Sequence, residues 1–195
     1  MDARELAAGL WYWTAPHPNW RPGADWPETV GCVYYEAPDA VVLIDPLLPR
    51  GEEEEFLRQL DRDVARLGLP VAILLTAQWH ERSAPLLRKR YSVEDGISPV
   101  PKGIEVHPIA GADDQQVAFF IRPHRALVVA EIFMGDGRGG LVLRPSPALI
   151  DRPALDKSLH DLLALPVARV LVSHGEPVLA DGGRAMALAL EDAVG

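Results

Sequence analysis

The sequence predicts an α/β (α+β) protein built as a four-layer αββα sandwich, with two β-sheets at the centre and helices on both outer faces. The early part of the chain consists mostly of strand-like segments, a strand–helix–strand–helix passage follows, and further strands precede a final helix–strand–helix. Two sheets with outer helices accommodate this order better than one doubly wound sheet. No internal repeat or low-complexity linker interrupts the chain, so residues 1–195 are predicted to form a single domain.

Three strands are predicted before the first helix. Residues 10–13, 30–36 and 40–44 are rich in aromatic and β-branched side chains, and the turn composition of residues 37–39 favours a hairpin between the last two. A loop at residues 15–27 contains four prolines and two tryptophans. Together with Trp11 and Trp13, these indoles either roof a pocket for an apolar or planar ligand or pack over the sheet edge.

The remaining elements follow from hydrophobic periodicity. Residues 51–67 carry apolar side chains at helical spacing, with acidic residues in the first turn and Gly68 at the exit. Residues 71–75 form an apolar strand that leads into a polar segment and then a basic helix after Ser83. Further strands are predicted at 104–109, 117–121, 126–131 and 167–173, a turn at 122–125, and helices at 153–163 and after 183.

Composition limits the possible partners and location. No apolar run approaches the ~20 residues that cross a bilayer, so we expect no membrane interaction. No secretory signal is visible, and a cytoplasmic location is expected. The net charge of −9 argues against nucleic acid, whose phosphates require a basic face. A small-molecule ligand is therefore expected, with another protein as the alternative, and the oligomeric state is left open.

The single cysteine, Cys32, lies in a strand-like segment. A sequence with only one cysteine can form neither an internal disulfide nor a Cys-rich zinc site. A small buried apolar residue is the expected role, rather than a catalytic thiol.

Four short segments share a recognisable order: Val42-Leu-Ile-Asp-Pro46, Ile73-Leu-Leu-Thr76, Leu127-Val-Val-Ala-Glu131 and Val170-Leu-Val-Ser-His-Gly175. Over roughly residues 9 to 190, this order resembles the metallo-β-lactamase fold superfamily. The family pattern is an Asp after an early strand, Thr-His-x-His-x-Asp-His, a lone His, an Asp after a strand, and a late His-Gly. The resemblance implies one or two metal ions, usually zinc, which lower the pKa of a bound water for hydrolysis.

This chain departs from that pattern at most ligand positions. Asp45 matches the first Asp and His174 the last His. In chain order, the other six positions hold Ala77, Trp79, Glu81, Arg82, Ala112 and Glu131. A shift of one residue places His80 at the second His position, but it then places Arg82 at the Asp position and Ser83 at the third His.

These departures predict that no two-zinc centre forms, because neither alanine nor tryptophan can donate an electron pair to a metal. We expect no cofactor, and the alternative is a single divalent metal such as zinc held by Glu81, Glu131 and His174. Arg82 would lie beside that ion and cannot ligate it. Its predicted role is to replace the lost cation in a partly buried ion pair with Glu131, Glu81 or both.

The candidate catalytic residues are therefore His80, Glu81, Arg82, Glu131 and His174. Either imidazole could activate water without a metal, His174 with Glu131 to orient it, or could only satisfy a hydrogen bond at a strand end. Ser83 and residues 135–140 are assigned no catalytic role. Ser83 is predicted to cap a helix, and residues 135–140 are predicted to form a flexible loop near the mouth of the site.

Two functional hypotheses remain. The first is a binding or non-catalytic module with a decayed metal centre, and the sequence favours it because the water-activating ligands are missing. The second is a hydrolase of esters, thioesters or phosphodiesters that uses a one-metal or metal-free site.

Overall fold

The computed structural model describes residues 2–93, 99–112, 116–144 and 151–193. The chain divides into two compact units, one of residues 1–75 and 79–103 and the other of residues 76–78 and 104–195. The single domain expected from the sequence stays a prediction, and each unit is described by itself. No helix among the described residues is both long enough and apolar enough to cross a membrane.

The first unit is built on a five-stranded mixed sheet. Its strands, in both chain and spatial order, are β1 (Asp2–Ala7), β2 (Leu10–Pro16), β3 (Thr29–Glu36), β4 (Val41–Ile44) and β5 (Val71–Leu74). The first four strands pair antiparallel, and β5 pairs parallel to β4. A parallel neighbour requires a crossover connection, and helix α1 (Glu53–Leu67) supplies it.

Helix α1 and helix α2 (Ala84–Tyr91) contribute to the hydrophobic core of this unit. Leu60 of α1 and Leu87 of α2 are buried in one cluster with Trp13, Leu43 and Ile73 of the sheet. Helix α1 ends where Gly68 adopts a left-handed conformation and its N–H donates to the carbonyl of Val64. The predicted amphipathic helix is thus present, beginning two residues later than expected.

The second unit contains a four-stranded mixed sheet and a short hairpin. The sheet order is β11 (Arg169–Val172), β8 (Ala126–Val129), β7 (Val117–Ile121) and β6 (Ile104–Pro108), and the hairpin joins β9 (Phe133–Gly135) to β10 (Leu141–Leu143). Strand β11 runs parallel to β8, whereas the other neighbouring strands of this sheet are antiparallel.

Helices α3 (Arg152–Leu163) and α4 (Gly182–Asp192) complete the second unit. Leu159 of α3 and Met186 of α4 are buried in one core cluster with Phe120, Leu127 and Val170 of the sheet. Two mixed sheets, each with its own pair of helices, agree with the fold class predicted from the sequence. Strands β1, β9 and β10 were not predicted, because half of the β1 residues are polar and the other two strands are only three residues long.

Candidate functional site

A buried carboxylate–imidazole pair lies in the first unit. Asp45 follows β4, and its N–H donates to the carbonyl of Leu74 at 3.0 Å. His80 lies in a 3₁₀ turn, Gln78–Glu81, between β5 and α2. Oδ2 of Asp45 is 2.9 Å from Nδ1 of His80, and both side chains are only 4% exposed. His80 therefore has the buried strand-end hydrogen bond that was one of its two expected roles.

Arg82 ties the ends of two strands to the start of α2. One guanidinium nitrogen, Nη1, donates to the carbonyl of Gly31 at 3.0 Å and to that of Asp45 at 2.9 Å. Asp45 and Arg82 both have positive φ angles, 50° and 40°. Such conformations cost non-glycine residues about 1 kcal/mol or more, and they recur at functional sites.

Glu81 does not join this buried pair. Its side chain is 60% exposed, and its carboxylate lies 3.7 Å from the guanidinium of Arg88. The predicted ion pair between Arg82 and Glu81 is wrong, because Glu81 turns to α2 and solvent. The alternative pairing of Arg82 with Glu131 would join the two units and stays a prediction.

Ser83 and Cys32 support the strand ends from buried or partly buried positions. Ser83 precedes α2 as predicted, but its hydroxyl accepts from the N–H of Leu48 at 3.0 Å instead of capping the helix. The N–H of Leu47 donates to Sγ of Cys32 at 3.3 Å. Burial raises the pKa of the Cys32 thiol to about 11, so the thiol is protonated at neutral pH and is a poor nucleophile.

A second carboxylate–imidazole pair lies in the second unit. Glu131 follows β8 and His174 follows β11, two parallel neighbours whose carboxyl ends meet at the same sheet edge. Nε2 of His174 is 3.0 Å from Oε1 of Glu131, and the other oxygen, Oε2, accepts from Nη1 of Arg144. The side chains of Glu131 and His174 are largely buried. Arg144 was not among the residues predicted from the sequence.

The hairpin explains how Arg144 reaches Glu131. Leu143 pairs with Phe133 in the β9–β10 register, and the N–H of Arg144 donates to the carbonyl of Ile132 at 3.1 Å. One residue beyond the last strand pair, Arg144 is thus set opposite the segment that begins with Glu131. A hairpin signal was available in the sequence, since two short apolar runs flank the glycine-rich residues 135–140.

The glycine-rich turn of that hairpin is closed by hydrogen bonds. Oδ1 of Asp136 accepts from the N–H groups of Arg138 and Gly140, at 2.7 and 2.8 Å. These two backbone donors hold the pKa of Asp136 below its ordinary value. The carboxylate of Asp136, ionised at neutral pH, thus closes the turn that connects β9 to β10, and the flexibility predicted for residues 135–140 stays a prediction.

Two glycines let β9 approach the loop that carries His174. The N–H of Gly135 donates to the carbonyl of His174 at 3.0 Å. A Cβ on Gly135 would lie 2.2 Å from the carbonyl oxygen of Glu176, and a Cβ on Gly175 would lie 2.6 Å from that of Gly135. Gly175 also has a φ of 78°. The backbone beside His174 therefore requires glycine at both positions.

The tryptophans differ in burial and in hydrogen bonding. Trp13 is buried and donates through Nε1 to the carbonyl of Leu47 at 2.9 Å, and Trp26 packs against the same core. Nε1 of Trp20 donates to the carbonyl of Trp26 at 3.0 Å. Trp79 is 44% exposed, and its ring centroid lies 5.8 Å from that of His80. Packing accounts for Trp13 and Trp26, whereas Trp79 presents an indole surface to solvent.

The donor set does not fit the metal centre of the family pattern. Within the described parts of the chain, no group of three or more His, Cys, Asp or Glu side chains is arranged to hold a metal ion. The donors instead form two pairs, Asp45 with His80 and Glu131 with His174. A zinc site requires three or four protein ligands, and Ala77 and Trp79 supply none where the pattern requires histidines.

Searches of family models and of curated proteins found no match for this sequence. Solved structures do match. A metallo-β-lactamase from Erythrobacter litoralis aligns with a TM-score of 0.65 and 14% identity, covering 97% of this chain and 90% of that one. A metallo-β-lactamase from Hirschia baltica aligns with a TM-score of 0.58 and 13% identity, covering 96% of both chains.

A metallo-β-lactamase family protein from Thermus thermophilus aligns with a TM-score of 0.54 and 18% identity, covering 97% of this chain and 81% of that one. These alignments span nearly the whole chain. The protein has the metallo-β-lactamase fold, as the order of its strand-end residues predicted. At these sequence identities the structural similarity establishes the fold alone. The function has to be inferred from the residues of the site.

Proposed function

We propose that this protein is a binding or non-catalytic module on the metallo-β-lactamase fold, with a metal centre that has decayed. The observation that carries the proposal is the division of its donors into two pairs, with no third donor arranged around a common ion in the described residues. Hydrolysis in this fold depends on water that a metal has activated. Because the described residues offer no such group of three ligands, ligand binding is the function that these groups support best.

A small-molecule ligand is the partner we infer. The exposed indole of Trp79 lies directly beside the buried Asp45–His80 pair and offers a flat apolar surface next to polar groups. Such a combination is typical of sites that bind small molecules. The net charge of −9 disfavours nucleic acid as a partner. We also propose the cytoplasmic location that was expected from the sequence.

Metal analysis of the purified protein tests the loss of the metal centre. The protein is prepared without added metal, incubated with excess zinc, desalted and analysed for bound metal. We expect well under one equivalent of zinc per chain and no turnover of ester, thioester or phosphodiester probes. One or two tightly bound equivalents of zinc, together with turnover that a chelator abolishes, would overturn the proposal.

Screening of a small-molecule library by thermal shift tests the binding role. Hits are then titrated against the parent, Trp79→Ala and Trp79→Phe while the indole fluorescence is recorded. We expect hits that contain a planar group, whose affinity falls at least about tenfold in Trp79→Ala and less in Trp79→Phe. Equal affinity for all three proteins would remove Trp79 from the binding site.

A metal-free hydrolase is the second candidate, and one observation favours it. Nε2 of His174 lies 3.0 Å from a Glu131 oxygen, which is the geometry of an imidazole oriented by a carboxylate. If this pair activates water, His174→Gln abolishes turnover of an activated ester, and a chelator leaves turnover of the parent unchanged. A parent protein without turnover above the buffer rate excludes this candidate.

A further inference from the structure

Glu131, His174 and Arg144 form a cluster of contacting side chains in the second unit. We propose that the Arg144 guanidinium is the built-in cation of this cluster, which compensates the Glu131 carboxylate and so positions the His174 ring. This inference rests on the proposed loss of the metal centre, because it assigns to Arg144 the charge that an ion would otherwise supply. Arg144 acts through Glu131 and is a positioning residue, not a catalytic one.

The first support is that each carboxylate oxygen of Glu131 has its own partner. Oε1 contacts Nε2 of His174, whereas Oε2 accepts from Nη1 of Arg144. The side chains of Glu131 and Arg144 are only 16% and 22% exposed. A carboxylate that has lost most of its water needs a compensating charge, and hydrogen bonds between charged groups are the strongest available.

The second support is that the fold delivers Arg144 to this place. The β9–β10 register brings the N–H of Arg144 to the carbonyl of Ile132, next to Glu131 in the chain. The N–H of Glu131 itself donates to the side-chain oxygen of buried Gln116 at 3.3 Å. Because both backbones are held, the contact between guanidinium and carboxylate requires little further ordering, unlike a pair between two flexible surface side chains.

The third support is the effect on His174. A carboxylate oxygen can only accept a hydrogen bond, so Oε1 of Glu131 beside Nε2 favours the ring form of His174 that carries a proton on Nε2. Arg144 holds that acceptor in place through its contact with Oε2. Loss of the guanidinium is therefore expected to change both the stability of the unit and the proton arrangement on the imidazole.

A double-mutant cycle with a charge-retaining variant tests the proposal. Arg144→Met removes the charge and keeps most of the side-chain length, Arg144→Lys keeps the charge without the planar fork, and Glu131→Gln removes the carboxylate. The matched control is Arg138→Met in the same hairpin, since Arg138 is exposed. Urea unfolding measures stability, and ¹⁵N NMR of the His174 ring reports which nitrogen carries the proton.

We expect Arg144→Met to raise the unfolding equilibrium constant about a hundredfold or more, and Arg144→Lys to raise it less. Arg138→Met is expected to unfold like the parent. The double variant, Arg144→Met with Glu131→Gln, should lose less unfolding free energy than the two single variants lose when their losses are added. The His174 signals should move in Arg144→Met and return toward the parent values in Arg144→Lys.

Three results would overturn the proposal. They are additive losses in the double variant, a lysine variant as damaged as the methionine variant, and His174 signals that Arg144→Met leaves unchanged. If Arg144→Met fails to fold, the coupling is decided by comparing the double variant with Glu131→Gln. A double variant that folds supports the coupling, and a double variant that does not fold overturns the proposal. Zinc bound by the parent would overturn the proposed function, whereas lost coupling overturns only the role of Arg144.

Discussion

Oδ2 of Asp45 lies 2.9 Å from Nδ1 of His80, although 35 residues separate the two in the chain. The contact joins the end of β4 to the 3₁₀ turn after β5, two strands that pair in parallel. Both side chains are buried, so each is the other's hydrogen-bonding partner in a region with little water.

Asp45→Ala is predicted to destabilise the protein by about 1 to 3 kcal/mol, because it leaves the buried His80 ring without its carboxylate partner. Asp45→Asn should cost less, since asparagine tolerates the positive φ of 50° and can still hydrogen-bond the ring. Urea unfolding of the two variants and the parent measures the difference. If alanine and asparagine give the same free energy of unfolding as the parent, the pair has no part in stability.

Gly175→Ala is predicted to cost more than about 2 kcal/mol, because its Cβ would lie 2.6 Å from the carbonyl oxygen of Gly135 in addition to the strained φ of 78°. Gly137→Ala is the matched control. Gly137 has a similar φ of 71°, but a Cβ there would meet nothing within 4 Å. It should lose only about 1 to 2 kcal/mol. Thermal unfolding of the two variants separates crowding from strain, and equal losses would contradict the close approach.

Arg82→Ala is predicted to destabilise by about 1.5 to 3 kcal/mol, because the carbonyls of Gly31 and Asp45 lose a charged donor. Arg82→Lys should recover part of this loss, since an ammonium can still reach one carbonyl. The coupling of Arg82 to Glu131 expected from the sequence is measured by adding Glu131→Gln to each variant. An Arg82→Ala protein that unfolds like the parent would show that these two hydrogen bonds contribute nothing to stability.

The Cys32 thiol gives a prediction in alkaline solution. Burial raises its pKa in the folded chain to about 11, compared with an ordinary value of 9.0. The unfolded chain therefore loses this proton first, and stability that is fully present below pH 9 falls as the pH rises toward 11. The loss should reach about 2 to 3 kcal/mol, and Cys32→Ala should remove it.

Urea unfolding of the parent and Cys32→Ala at several values between pH 8 and pH 11 measures this dependence. The comparison between the two proteins cancels the tyrosines that titrate in the same range. A thiol reagent at pH 8 provides the control, because it should modify Cys32 only after unfolding. A parallel pH dependence in both proteins would contradict the raised pKa.

Several elements could be predicted from the sequence because they are long or strongly periodic. Helix α1 has a continuous apolar stripe over fifteen residues, and β7 is found with the predicted bounds. The candidate residues Glu131 and His174 were also predictable, because each follows an apolar strand. In a parallel pair of strands, the residues after both carboxyl ends come together by geometry.

Side-chain partners depended on the tertiary structure. A strand-end pattern places Asp45 near a turn, but only the left-handed backbone at Asp45 and the 3₁₀ turn at His80 bring the carboxylate and the imidazole into contact. Glu81 and Arg82 are adjacent in the chain, yet Glu81 turns to Arg88 and solvent while Arg82 reaches two carbonyls. Adjacent residues in an irregular turn point in directions that residue type alone does not determine.

The amino-acid sequence by itself determined the class of fold and the absence of most of the family's histidines, since both depend on residue type and on the order of apolar segments. The tertiary structure decided how Arg144 reaches Glu131 within the second unit. Arg144 lies beside Glu131 because it follows a hairpin of two three-residue strands, in which Asp136 closes the turn and Gly135 closely approaches the His174 loop. Strands that short carry too little alternation to predict a register, so the contact arises only when the backbone hydrogen bonds are made.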